Sequence, residues 1–341
     1  MPHPSFSLLL SSDGGDRCAM SHPGKGGGAR LSGAFVVKAL VSLSLLGWLA
    51  HRTDWANIHS RLAHAEPAWL GAAILAAFVC VLLVALRWRL LADVAGAEMT
   101  IGQAIHLTFV SQFFGQVLPA SVGGDFIRTW LGWRIGLRLR PVLVSVATDR
   151  IVALLAMMPL VVISGLLLSG MVPPEIAWTP AASASALTLI MIGGLNADRL
   201  PWPAAIRRRA LFVSVLLMVR SIRHMLVVRT AVRPGLMAVA VHLMVIGTMM
   251  LLARGLALPV SFFDCFLVVP VAVLASMLPI SLNGWGVREQ VMISGMGLVG
   301  VSPDEALAIS VLFGLSFIIS SLPGAAAWFF LDWNAHRAEK G

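Results

Sequence analysis

Six stretches of this 341-residue chain run apolar for the length of a membrane crossing: residues 33 to 50, 68 to 86, 151 to 169, 179 to 195, 236 to 253 and 306 to 331. A hydrocarbon core about 30 Å thick takes roughly 20 apolar residues as a helix. Backbone groups in lipid must be satisfied within the segment, so helices follow. Two further apolar stretches, 101 to 121 and 262 to 282, each run into a polar interruption. The reading is an all-α integral membrane protein, a polytopic bundle of about 6 to 8 spans with two re-entrant or broken-helix segments arranged as inverted repeats.

Composition agrees. Hydrophobic residues make up 58% and charged ones 12% of the chain. The net charge of +9 sits mostly between the apolar stretches, as cytoplasmic loops facing anionic lipid require, and so argues against nucleic acid as a partner. Cys18, Cys80 and Cys265 form no CxxC pair, and no ligand cluster suggests a metal or another cofactor. Residues 1 to 32, rich in Gly, Ser and Pro, read as a disordered tail ahead of a membrane domain at 33 to 331 and a cytoplasmic tail at 332 to 341. The GKGGG at 24 to 28 lacks the ending of a phosphate loop and is read as linker.

Arginine placement predicts an orientation with both termini cytoplasmic in a plasma (inner) membrane. The second span ends in RWRLL at 87 to 91; the segment 128 to 140, with Arg128, Arg134, Arg138 and Arg140, is expected on the same side. The intervening 101 to 121 therefore dips in and returns. The stretch 199 to 233 carries eight arginines and separates repeat-like halves around 68 to 195 and 236 to 331. Within it, Arg207, Arg208, Arg209, Arg220 and Arg223 are expected to meet anionic lipid from an interfacial helix; a spanning helix at 207 to 229 is the alternative.

The two interruptions echo each other. LPASVGGDFIR, 118 to 128, and LPISLNGWGVR, 278 to 288, match at Leu118 and Leu278, Pro119 and Pro279, Ser121 and Ser281, Gly124 and Gly284, and Arg128 and Arg288. Proline and glycine stop a helix, and a helix restarting beyond them turns free N–H groups toward whatever fills the gap. Gly123, Gly124 and Arg128 in one copy, and Asn283, Gly284 and Arg288 in the other, thus compose an anion site of the kind transporters build from paired broken helices. The competing reading has both arginines as topology markers. Asp125 is spaced to reach Arg128, whereas Arg288 and Glu289 are adjacent and not expected to pair. Asp149 and Arg150 either snorkel or couple an ion, with Asp125 and Glu289 further candidate proton carriers. His106 and His242 are read as packed side chains. Ser121 and Ser281 have no base at a telling spacing, so no catalytic residue is assigned and no enzyme is expected.

RWxxLL, LPASVGGDFIR, the TDR at 148 to 150, LPISLNGWGVRE, GVSPDEALAIS and SLPG together resemble the lysylphosphatidylglycerol synthase transmembrane-region family over about 35 to 331. The resemblance implies a flippase-type membrane domain, here without the soluble aminoacyl transferase domain of bifunctional members. It also implies a phosphorylated polar or polyprenyl-linked lipid as cargo, with Pro119, Ser121, Gly123, Gly124, Asp125, Arg128, Pro279, Ser281, Asn283, Gly284, Arg288 and Glu289 at the headgroup. Two alternatives are an intramembrane lipid-modifying transferase and a non-catalytic partner in hopanoid or glycolipid assembly.

Overall fold

The structure is a computed structural model. It describes residues 63 to 117, 123 to 170, 172 to 203, 206, 208 to 227, 231 to 277, 281 and 283 to 329, with isolated positions between 40 and 59. The expected tails, most of the apolar stretch 33 to 50, and Pro119, Ser121, Arg207 and Pro279 lie outside the described residues.

The described residues are helical, with no strand among them. In chain order the helices are α1 (Pro67–Ala95), α2 (Ile101–Val117), α3 (Gly123–Arg134), α4 (Leu139–Leu168), α5 (Pro174–Leu195), α6 (Ala210–Val227), α7 (Val232–Gly255), α8 (Phe262–Ser276), α9 (Val287–Gly297) and α10 (Pro303–Phe329). Five of them, α1, α4, α5, α7 and α10, are long and apolar enough to cross a membrane. Prolines inside α4, α5, α8 and α10 do not end them. Neighbouring helices and hydroxyls can satisfy the carbonyls that proline frees in such helices. Ser164 of α4 donates to the Leu267 carbonyl of α8, one residue beyond the Phe266 carbonyl that Pro270 leaves without a helical donor.

Helices α1 and α7 pack antiparallel. The Glu66 N–H, at the start of α1, donates to the Gly255 carbonyl at the end of α7 over 2.9 Å. At the other end, Leu91 shares a buried cluster with Ala238. Gly255 permits the close approach, since a Cβ there would lie 2.9 Å from Leu70 Cδ2.

Each of this pair leads into a helical hairpin. After α1 the chain turns at Gly96, whose φ of +83° suits glycine, and enters α2. Helix α2 is 17 residues long, about 25 Å at 1.5 Å per residue and short of a full crossing. Helix α3 then runs back along it. Gly124 sits against Gly115 and Ser111, and Leu131, further on, clusters with Leu107 and Ala104. After α7, α8 and α9 repeat the arrangement, with Gly284 against Ser276 and Gly295 against Val268. Because α1 and α7 run in opposite directions, the two hairpins start from opposite ends of the bundle. One buried cluster is built mainly from α1 to α4 and another mainly from α7 to α10.

The helix read from the basic stretch forms as α6. Its first half is exposed, with Leu211 79% accessible, and its second half packs Ile222 and Met225 against α1, α4 and α7. Arg223 does not face outward with Arg208, Arg209 and Arg220, because both its Nη atoms bond the Asp198 carboxylate, Nη2 over 2.7 Å. This bond holds Asp198 below its ordinary carboxylate range. A depressed carboxylate pKa stabilises above the unfolded value and loses that contribution as pH falls through the folded one. Protection of α6 amides from hydrogen exchange, taken relative to the intrinsic rate at each pH, should therefore fall on acidification below about pH 4. An Asp198→Asn protein should exchange faster already at neutral pH and lack the acid step.

Candidate functional site

The two interruptions meet. Asn283, in the loop between α8 and α9, donates its side-chain amide to the Gly115 carbonyl over 2.6 Å and the Gln116 carbonyl over 3.0 Å. These are among the last carbonyls of α2, which have no partner within the helix. The Asn283 backbone adopts φ +47°, a left-handed conformation that asparagine tolerates better than most residues. The hairpin tips are thus joined by a side chain of the second echo capping a helix of the first. An Asn283→Asp protein would set a carboxylate against those carbonyls and lose two donors worth about 1 kcal/mol each. Hydrogen exchange over 113 to 117 should rise about tenfold or more, with α1 and α7 unchanged; equal exchange would show that the tips are held by something else.

On the first-hairpin side, Arg128 of α3 is 3% exposed and lies between α1, α2 and α4. Its Nε donates to Ser111 Oγ over 3.2 Å, and its Nη1 reaches Asp149 Oδ2 at 3.4 Å. Its guanidinium carbon sits 4.9 Å from the ring centre of Trp88. The indole Nε1 of Trp88 bonds Ser145 Oγ over 3.1 Å, which fixes the ring. Asp149 is shared, because Arg87 Nε donates to its Oδ1 over 2.7 Å. Beside this group, Arg150 Nε pairs with Asp125 Oδ2 at 2.5 Å.

On the second-hairpin side, the Arg288 guanidinium lies 4.7 Å from the ring of Trp285 and 5.7 Å from that of Phe313. Its Nη2 and Nε bond Glu289 Oε1 over 2.5 and 3.0 Å. The other oxygen, Oε2, accepts the Gly286 N–H over 2.6 Å and so caps α9. Glu289 is fully buried, and Ser310 of α10 adds a contact at 3.4 Å. Gly314 makes room, since a Cβ there would lie 2.5 Å from Arg288 Nη2 and 2.8 Å from the Trp285 ring.

Several sequence expectations are corrected by this geometry. Arg288 and Glu289 do pair: the carboxylate turns back to cap its own helix, and the guanidinium curls over Trp285 to meet it. Asp125 takes Arg150, not Arg128, because α4 brings both charged residues of the TDR sequence, Asp149 and Arg150, against α3. Asp149 does not snorkel; it lies 11 residues into α4, 4% exposed, while Arg150 is half exposed. Arg128 was counted with cytoplasmic loop charges and is instead buried at the centre of the group. His242 is packed as expected, with Nε2 2.9 Å from the Ala153 carbonyl. His106 is not fully satisfied: its buried Nε2, like the hydroxyls of Thr108 and Ser281, has no partner among the described residues. Gly123 and Gly124 open α3 from a buried position, and Gly124 cannot carry a Cβ without striking the Ser111 carbonyl at 2.7 Å.

Sequence reasoning missed Arg87, Trp88, Ser111 and Trp285. The signal was present for the first two in RWRLL, but an arginine near a span's end reads as a loop charge until a carboxylate is found opposite it. Ser111 and Trp285 carry no local signal, because their roles depend on which helix packs beside them.

The class defined by this arrangement is a multi-pass helical membrane protein with paired broken-helix hairpins and buried, carboxylate-paired arginines. Residues 35–324 match the family model described as lysylphosphatidylglycerol synthase TM region. The chain belongs to that family. No curated protein matches it.

Proposed function

We propose that this protein moves a lipid between leaflets, taking its phosphorylated headgroup at the two hairpin motifs. The observation that carries the proposal is the meeting of the hairpin tips through Asn283, with a buried arginine stacked on a tryptophan beside each. Ionisable groups at membrane depth are costly and commonly mark a substrate path. Hairpins that start from opposite ends and meet midway suit an inverted repeat, whose site opens to one side and then the other as the tips part. Family membership supports lipid as the cargo. The orientation that fits places both termini in the cytoplasm of a plasma membrane, with Arg208, Arg209 and Arg220 on anionic lipid. Transport, not headgroup chemistry, is the reading, because the arginines are arranged to hold charge.

The test is the purified chain in liposomes carrying fluorescent phosphatidylglycerol, with leaflet exchange followed by quenching and the lipid checked by mass spectrometry. Arg128→Ala and Arg288→Ala should each slow exchange about tenfold or more, since hydrogen bonds to charged groups contribute about 1.5 to 3 kcal/mol. Unchanged rates in both, or a covalently altered lipid, would sink the proposal.

A further inference from the structure

The charges around the first motif do not cancel. Among the described residues Arg87, Arg128 and Arg150 pair with Asp149 and Asp125 alone, so three cations meet two carboxylates and one positive charge is left over. At the second motif Arg288 and Glu289 balance. The surplus can be assigned to an atom. Arg87 holds Asp149 at 2.7 Å, whereas Arg128 reaches it only at 3.4 Å, and Arg128 Nη2 has no acceptor among the described residues. Arg150 is spent on Asp125. Arg128 therefore keeps a donor edge and a charge that no described residue takes up.

We infer that Arg87 and Asp149 set the charge of the headgroup site, Asp149 acting as a built-in counter-anion held by Arg87. The cluster then accepts one negative charge at Arg128, a phosphodiester, and disfavours a headgroup with an added phosphomonoester or a diphosphate. This rests on the lipid-headgroup reading and goes further by naming the charge class and the residues that impose it. The physical reason is that an uncompensated charge at membrane depth is costly in either sign, so the ligand that completes the balance is preferred. Arg87 is here a positioning residue: it acts by occupying Asp149, not by touching the ligand.

The experiment measures binding to the intact purified protein in detergent of phosphatidylinositol, which has one negative charge, and phosphatidylinositol 4-phosphate, which adds a phosphomonoester. Only the part lost in Arg128→Ala is read, so that surface arginines drop out. The unaltered protein should prefer phosphatidylinositol by about tenfold or more, a modest share of what close buried charges impose. Asp149→Asn raises the site by one charge and should move the preference toward the 4-phosphate by a similar factor. Arg87→Gln removes a charge and should abolish Arg128-dependent binding of phosphatidylinositol, while Arg87→Lys, with the charge kept, should retain it. If either variant fails to fold, the preference of the unaltered protein still decides: equal binding, or a preference for the 4-phosphate, overturns the inference. If Arg128→Ala binds both lipids as the unaltered protein does, the headgroup reading itself fails. If Arg128 matters but neither variant moves the preference, only the charge assignment fails.

Discussion

Glu289→Ala is expected to destabilise the protein by about 3 to 5 kcal/mol, the range found when one partner of a buried ion pair is removed. Three losses combine at this position. Arg288 keeps its charge with no other carboxylate paired to it among the described residues, the Gly286 N–H loses its acceptor, and a fully buried side chain leaves a gap between α9 and α10. The aromatic rings of Trp285 and Phe313 remain over the guanidinium, but such contacts contribute about 0.5 to 2 kcal/mol and do not offset the rest. Glu289→Gln separates the terms, because the amide oxygen can still accept from Gly286 while the charge is gone. Unfolding in detergent against a denaturant should rank the unaltered protein above Gln and Gln above Ala. Equal stability of all three would mean that Arg288 finds another partner when Glu289 is removed.

Gly324→Ala is the second large effect, and it arises from backbone against backbone. A Cβ at 324 would lie 2.1 Å from the Phe109 carbonyl oxygen and 2.4 Å from its carbon, so α10 and α2 must separate to admit it. Overpacking of this kind costs about 1 to 3 kcal/mol, and here no flexible side chain can move aside. The displacement also reaches the Phe114–Trp328 pair, whose ring centres are 4.8 Å apart. Gly314 is the informative contrast. An added methyl there meets side-chain ends, Arg288 Nη2 and the Trp285 ring, which can shift. Gly314→Ala should therefore disturb the proposed transport more than stability, and Gly324→Ala the reverse; thermal unfolding and leaflet-exchange rates measured on both proteins check this.

The helices were legible in the chain because lipid leaves so few choices. Apolar runs at 68 to 86, 151 to 169, 236 to 253 and 306 to 331 appear as α1, α4, α7 and α10, each helix starting ahead of its apolar run. The extension of α4 back to Leu139 matters most, since it carries Asp149 from an expected interface into the interior. The breaks were legible too. Helix α2 ends at Val117 and α8 at Ser276, just ahead of the two prolines. What could not be read was pairing: Asp125 with Arg150, Asp149 with two arginines, and Glu289 with its neighbour are settled by helix rotation and by which helices lie alongside.

By itself the sequence determined that this protein is helical, that it crosses a membrane several times, and that two related interruptions break its helices. The physical reason is local: apolar length, proline and glycine act within a segment, whatever lies beside it. Tertiary structure alone decided that Asn283 ties one interruption to the other, that Arg87 belongs with Arg128, and that one positive charge remains over among the described residues of that group. Those depend on side chains brought together across 21 to 168 positions of chain, as in Arg128 with Asp149, 21 apart, Arg87 with Asp149, 62 apart, and Asn283 with Gly115, 168 apart. In a medium where an unpaired charge is costly, it is this long-range pairing that sets what the site can hold.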